Sequence, residues 1–135
     1  HSINDTSQEM ARESNPIATA LASLFHAYRN AVELDEKARY GEDDRANHVV
    51  GFIERYQVRF ENENTMEPVS AGRLLAALRR VGREFNLEFE YKKPAQLGRR
   101  ISNDLDVIRD AGFDIDRQRN AHTKNFEYRI SSKGV

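Results

Sequence analysis

At Gly112 the spacing of apolar residues changes from three or four to two. Apolar side chains every three to four positions line one face of a helix, whereas alternate ones line one face of a strand. The chain before that glycine is therefore expected to be built mainly of helices, and the chain after it of two short strands. Phe113, Ile115 and Arg117 alternate with acidic residues, and Asn120-Ala-His-Thr-Lys-Asn125 is a polar turn. Phe126, Tyr128 and Ile130 then alternate back. This is the pattern of a β-hairpin.

The helical part divides into four stripes. Asn15-Pro16 opens the first, with Asn as the N-cap and Pro where a missing N–H costs nothing. Ile17, Leu21, Leu24, Phe25, Tyr28 and Val32 carry it to about Leu34, and Gly41 is a stop. Glu42-Asp43-Asp44 suits the positive end of a second helix, whose stripe is Val49, Phe52, Ile53, Tyr56 and Phe60. A polar break from Glu61 to Thr65 is closed by Pro68. Val69 reads as a short strand residue, and Ser70 caps a third helix with Leu74, Leu75, Leu78, Val81 and Phe85 on one face. Arg73, Arg79, Arg80 and Arg83 surround that face. Leu87, Phe89 and Tyr91 have strand spacing, and Lys92-Lys93-Pro94 opens a fourth helix. Its core positions are Leu97, Ile101, Leu105 and Ile108, and Ala111-Gly112 ends it.

Composition limits what such a chain can do. Its 135 residues, 39% hydrophobic and 32% charged, suit one highly solvated domain with a modest core. With no Cys it has no disulfide framework, thiolate zinc site or thiol chemistry. The longest apolar run is five residues, far below the ~20 of a membrane span, and the first fifteen residues lack the apolar stretch of a signal peptide. His1-Ser2 is read as a tag scar on a piece of a longer protein, and His26, His48 and His122 lack partners at metal-ligand spacing. Neither a phosphate-binding Gly-Lys-Ser/Thr loop nor G-x-G-x-x-G is present. The expectation is a non-enzymatic protein with no metal, no cofactor and no membrane partner. Its expected location is cytoplasmic, nucleoid-associated or intracellular in a host cell. The organisation read from the sequence is a disordered tail over 1–14, an acidic helical segment over 15–43, a compact domain over 44–131 and a frayed end over 132–135.

Charge points to a partner. Residues 1–68 hold 7 Lys+Arg against 13 Asp+Glu, whereas residues 69–135 hold 14 against 9. The basic half suits a polyanion. A helix, a second helix, a third helix entered through a turn and then a two-stranded hairpin is the order of a winged helix-turn-helix, whose third helix can enter the major groove while the hairpin lies along the backbone. The fold expected is thus mainly α with a small β-hairpin, a winged helix-turn-helix preceded by an N-terminal helical segment. With the fourth helix's core positions turned inward, Gln96, Arg99, Arg100 and Asn103 face outward. These residue types bond base edges bidentately. Lys92 and Lys93 precede the helix where phosphate can meet free backbone N–H groups. Arg117, Arg119, His122 and Lys124 surround the hairpin tip. Against this stand Asp104, Asp106, Asp110, Asp114 and Asp116, which repel phosphate wherever they face it.

The stretch 69–130 resembles the winged-helix segments that follow the helicase core in phage- and plasmid-type primase-helicase replication proteins. The matching residues are Ser70-Ala-Gly-Arg-Leu-Leu75, Gln96-Leu-Gly-Arg-Arg-Ile101, Gly112-Phe113 and Phe126-Glu-Tyr-Arg-Ile130. The resemblance implies a double-stranded-DNA-binding accessory of a larger motor protein. The gap between the third and fourth helices, Asn86 to Lys93, departs from a tight helix-turn-helix. Two alternatives stay open: a protein-interaction or self-association module using the winged helix or the first helix, and the DNA-binding domain of a transcriptional repressor.

Overall fold

The computed structural model describes residue 10 and residues 14–37, 45–89 and 91–133, with backbone alone for 45–50. Its elements in order are α1 (Pro16–Lys37), α2 (Arg45–Tyr56), β1 (Phe60–Asn62), β2 (Thr65–Met66), β3 (Val69–Ser70), α3 (Ala71–Glu84), α4 (Pro94–Asn103), α5 (Leu105–Asp110), β4 (Phe113–Arg119) and β5 (Phe126–Ser132). Most of the tail expected over 1–14, the Gly41 stop, the acidic triplet at 42–44 and the side chain of His48 lie outside the described residues.

The first helix starts as its sequence dictates. Asn15 Oδ1 accepts the Ala18 N–H at 3.0 Å, and Pro16 follows directly. Its whole apolar stripe, Ile17 to Val32, is buried against α2 and α3. The acidic N-terminal segment therefore forms one wall of the same core as the rest of the chain, and the stripe that a docking role needs is covered from within. Rings join this wall to the sheet. Phe60 of β1 stacks on Tyr28 at 4.3 Å between centroids and meets Phe25 edge-on at 5.1 Å, while Phe25 lies 5.6 Å from Phe113 of β4.

The hairpin is part of a larger assembly. β5 is central in a five-stranded antiparallel sheet, with β4 along one edge, β2 and β3 in succession along the other, and β1 beyond β2. The fold is mixed α/β, not mainly α with a lone hairpin. Two or three residues carry no readable period, so β1 and β2 leave no sequence signal, whereas β3 holds Val69, the position read as a short strand residue. All three form because the second edge of β5 would otherwise bury unpaired N–H and C=O groups. Phe60 accordingly sits in β1 and not at the end of the second helix, because Gln57, at φ 62°, stops α2 and turns the chain. Arg29 of α1 fastens this end of the sheet. It donates to the Glu63 carbonyl oxygen at 3.1 Å, Asn64 Oδ1 at 3.0 Å and Ser132 Oγ at 3.2 Å. β5 thus runs on to a buried Ser132, one residue into the stretch read as frayed.

Ser70 Oγ accepts the Arg73 N–H at the start of α3, as its position before the stripe indicates. At the other end Asn86 takes φ 56° and the Leu87 N–H reaches the Gly82 carbonyl oxygen at 2.8 Å, a Schellman closure. That closure rotates Phe85 out of the stripe and leaves it 53% exposed. Residues 87–89 and 91 are irregular chain, not strand, with Leu87 and Phe89 packed against the core. The returning chain needs a helix without a side chain. A Cβ on Gly82 would lie 2.6 Å from the Leu87 carbonyl oxygen and 3.1 Å from the Phe89 ring. Helix propensity alone favours Gly→Ala by about 1 kcal/mol. Gly82→Ala is nevertheless expected to destabilise by roughly 1–3 kcal/mol, the range for overpacking. A higher melting temperature in a circular-dichroism melt would contradict this packing.

The fourth stripe is divided. α4 and α5 meet at Asp104, a poor helix former, yet the Asp104 N–H still reaches the Arg100 carbonyl oxygen at 2.9 Å and the Ile108 N–H the Asp104 carbonyl oxygen at 2.9 Å. The stripe survives the bend, with Leu97, Ile101 and Ile108 buried.

A polar clamp joins α2 to α3. The Tyr56 hydroxyl donates to Glu84 Oε2 at 2.5 Å, and Arg55 Nε donates to Glu84 Oε1 at 2.9 Å. The Tyr56 bond holds the Glu84 carboxyl below its usual range, with Arg55 adding to the effect against the cost of burial. Burial, then the bond to Glu84, pushes the Tyr56 phenol up to about 12. A depressed carboxylate stabilises the fold above its unfolded pKa, and that contribution is lost as pH falls through the folded value. Tyr56→Phe should therefore melt below the parent near pH 7, by roughly 1–2 kcal/mol, and approach it near pH 3. Paired thermal melts check this; a gap independent of pH would break the link to Glu84.

Candidate nucleic-acid interface

The register of the ribbon decides which way its charges face. Phe113 pairs with Ser132, Ile115 with Ile130, Arg117 with Tyr128 and Arg119 with Phe126, while Asp114, Asp116 and Gln118 pair with Ser131, Arg129 and Glu127. Directly paired residues share a face and successive ones alternate. Arg117 and Arg119 therefore continue the face whose buried part is Phe113, Ile115, Tyr128 and Ile130. Asp114 and Asp116 point to the opposite side. There Lys133 Nζ lies 3.5 Å from Asp114, and Arg129 pairs with Glu61 at 2.8 Å.

α4 rests on the helix-side face of the ribbon. Its contact is Gly98, where a Cβ would come within 2.9 Å of the Tyr128 hydroxyl. Beside this contact lies a groove of about 680 Å³, bounded by the start of α3, by α4 and by the far end of the ribbon. Arg99 and Asn103 line it from α4, Arg117 from β4, and Ser70, Asn125 and Phe126 from the surrounding chain, and among the described residues no Asp or Glu lines it. The Arg117 guanidinium sits 4.2 Å above the Phe126 ring, which is 47% exposed. This contact orients the cation without neutralising it.

The other expected site residues are placed differently. Gln96 caps its own helix, its Oε1 accepting the N–H groups of Lys92 at 2.8 Å and Lys93 at 3.3 Å. Both lysines are exposed just ahead of α4. Arg100 donates to Asp104 Oδ2 at 2.8 Å, and the Asn15 amide donates to the same oxygen at 2.8 Å, so its charge is matched within the fold. At the ribbon tip Asn120 Oδ1 accepts the N–H groups of His122 at 2.8 Å and Thr123 at 3.0 Å, and Lys124 adopts φ 58°. Arg119 Nε donates to the Lys124 carbonyl oxygen at 3.0 Å, leaving the exposed side chains of His122 and Lys124 at the end of the ribbon.

Of the ten residues, Arg99, Asn103 and Arg117 are brought together in one groove. Lys92 and Lys93 flank the start of α4, and Arg119, His122 and Lys124 crowd the tip. Sequence reasoning missed Phe126 and Gly98. A glycine inside a helical stripe was the available sign of a close approach.

The groove offers cationic forks, an amide, hydroxyls and an aromatic face, the groups that hold phosphate and read base edges. Among the described residues no group of three or more His, Cys, Asp or Glu is placed to hold a metal ion, and no helix is long and apolar enough to cross a membrane. Comparison with protein-family models, with curated proteins and with solved structures finds no match to this chain.

Proposed function

We propose that this chain binds double-stranded DNA through the groove between α4 and the β4–β5 ribbon, as a non-catalytic winged-helix module. The observation that carries this reading is the gathering of Arg99, Asn103 and Arg117 in a groove that no Asp or Glu lines among the described residues, with Asp114 and Asp116 on the far side of the ribbon. The succession α2, β3, α3, α4, β4, β5, with β1–β2 inserted before β3 and the short α5 before β4, and with β3 paired to the returning ribbon strand, supports it. In this reading α4 is the recognition helix, and Arg99 and Asn103 meet bases. Lys92, Lys93, Arg117, Arg119 and Lys124 meet phosphates. Gln96 and Arg100 serve mainly to build α4, given their bonds within the fold. The biological setting we infer from the resemblance of 69–130 is a DNA-binding accessory of a larger primase-helicase replication protein.

Salt dependence tests the reading. Neutralising about five phosphates releases counterions and gives a log–log slope of affinity against salt near −4 to −5. Fluorescence anisotropy of a labelled duplex of about 20 base pairs, titrated at several salt concentrations, measures it. No binding at low salt, or a slope shallower than about −2, would defeat the proposal.

A further inference from the structure

We propose that a second groove, along the C-terminal half of α3, binds a nucleotide unit, its phosphate on the arginine row and its base against the Phe89 ring. This groove, of about 720 Å³, has Arg79, Arg80 and Arg83 on one wall, with Ala76, Leu87 and Phe89 among its other lining residues. Its volume falls in the range of small-molecule sites, and it combines an apolar lining with a few convergent charges.

Two of these charges are held in place by carbonyl oxygens, and Arg80 also lies in the field of Glu84. Arg79 donates to the carbonyl oxygen of Tyr91, and Arg80 to that of Arg55. A carbonyl oxygen orients a guanidinium without neutralising it. Arg83 is exposed and makes no ion pair among the described residues. Glu84, one residue on, is occupied by Arg55 and Tyr56, which leaves Glu88, exposed, as the carboxylate among the lining residues. Among the described lining residues three guanidiniums stand against one exposed carboxylate, which favours an anion, and the planar fork of arginine matches phosphate oxygens bidentately. Half-buried Phe89, 6.1 Å from the Tyr91 ring, offers a surface for a planar base. The unit recognised is the same whether it comes as a free nucleotide or within a single strand. The site shares no lining residue with the α4–ribbon groove, so its fate does not depend on duplex binding.

The probe is a fluorescent N-methylanthraniloyl-ATP, titrated into the full chain at low salt, with ATP, pyrophosphate and a twelve-nucleotide oligo(dT) as competitors. Saturable binding is expected, weakened at least tenfold by Arg83→Glu and less by Arg83→Ala, with neither variant changing the melting temperature. Arg99→Ala with Arg117→Ala should leave this binding within twofold. Displacement by ATP ahead of oligo(dT), counted per nucleotide, assigns the site to free nucleotides, and the reverse assigns it to a strand. The proposal is overturned by absence of saturation up to about 1 mM, the edge of useful affinity. It is also overturned by equal binding in Arg83→Glu, or by pyrophosphate competing as well as ATP.

Discussion

Removing the guanidiniums of Arg99 and Arg117 together should weaken duplex DNA binding at least tenfold while moving the melting temperature by less than about 4 °C. Tenfold corresponds to about 1.4 kcal/mol, and a single good contact from arginine to a base or phosphate is worth roughly 1–3 kcal/mol, so the pair is ample. The fold loses little, because Arg99 is exposed and makes no ion pair among the described residues, and Arg117 contributes an exposed contact with Phe126. Such a contact is worth about 0.5–1 kcal/mol. The expected control is as informative. Asp114→Asn with Asp116→Asn, on the reverse of the ribbon, removes two negative charges yet should change affinity less than about threefold, because those charges face away and are screened. Arg100→Ala should affect binding less than Arg99→Ala, since Arg100 is already matched by Asp104.

Phe60→Ala should be the most damaging single change to the fold, costing roughly 3–5 kcal/mol. The ring is 7% exposed and touches three others: Tyr28 stacked at 4.3 Å, Phe25 at 5.1 Å and Phe52 at 5.6 Å. Its loss opens a cavity where α1, α2 and β1 meet and loosens the edge of the sheet furthest from β4. For a chain of this size each kcal/mol lowers the melting temperature by about 3–4 °C, so a fall of roughly 10–18 °C is expected. Phe60→Leu, which refills much of the volume, should recover about half. A fall below about 5 °C for the alanine variant would show that the aromatic column does not join helices to sheet.

The long periodic segments were legible in the sequence because one local rule governed each. The α1 stripe, the Ser70 cap and the alternation on either side of Asn120–Asn125 all lie where spacing and turn chemistry put them. Of the three short strands only β3 left a trace, in Val69. Thr65–Met66 is a strand only because β5 lies beside it, a long-range fact without a local signature. Phe85 and Phe60 show the same limit from the other direction. Each extends a helical stripe by one more step of three or four, yet a left-handed residue, Asn86 or Gln57, turns the chain beside it. At the site, the residue types and their segments were readable from the sequence. Which of them are free to meet a ligand depended on packing as well as spacing: Arg100 has its partner Asp104 one turn on, and distant Asn15 fixes that carboxylate. The face taken by the aspartates followed from ribbon register, which alternation alone leaves undetermined.

The most direct measurement is a residue-resolved footprint: amide chemical-shift changes in a ¹⁵N-labelled sample as a short duplex is added at low salt. The account predicts the largest changes at Arg99, Asn103, Arg117 and Phe126, with the amides of Asp114, Asp116 and Arg129 nearly still. Changes centred on the aspartate side of the ribbon, or none anywhere, would contradict it.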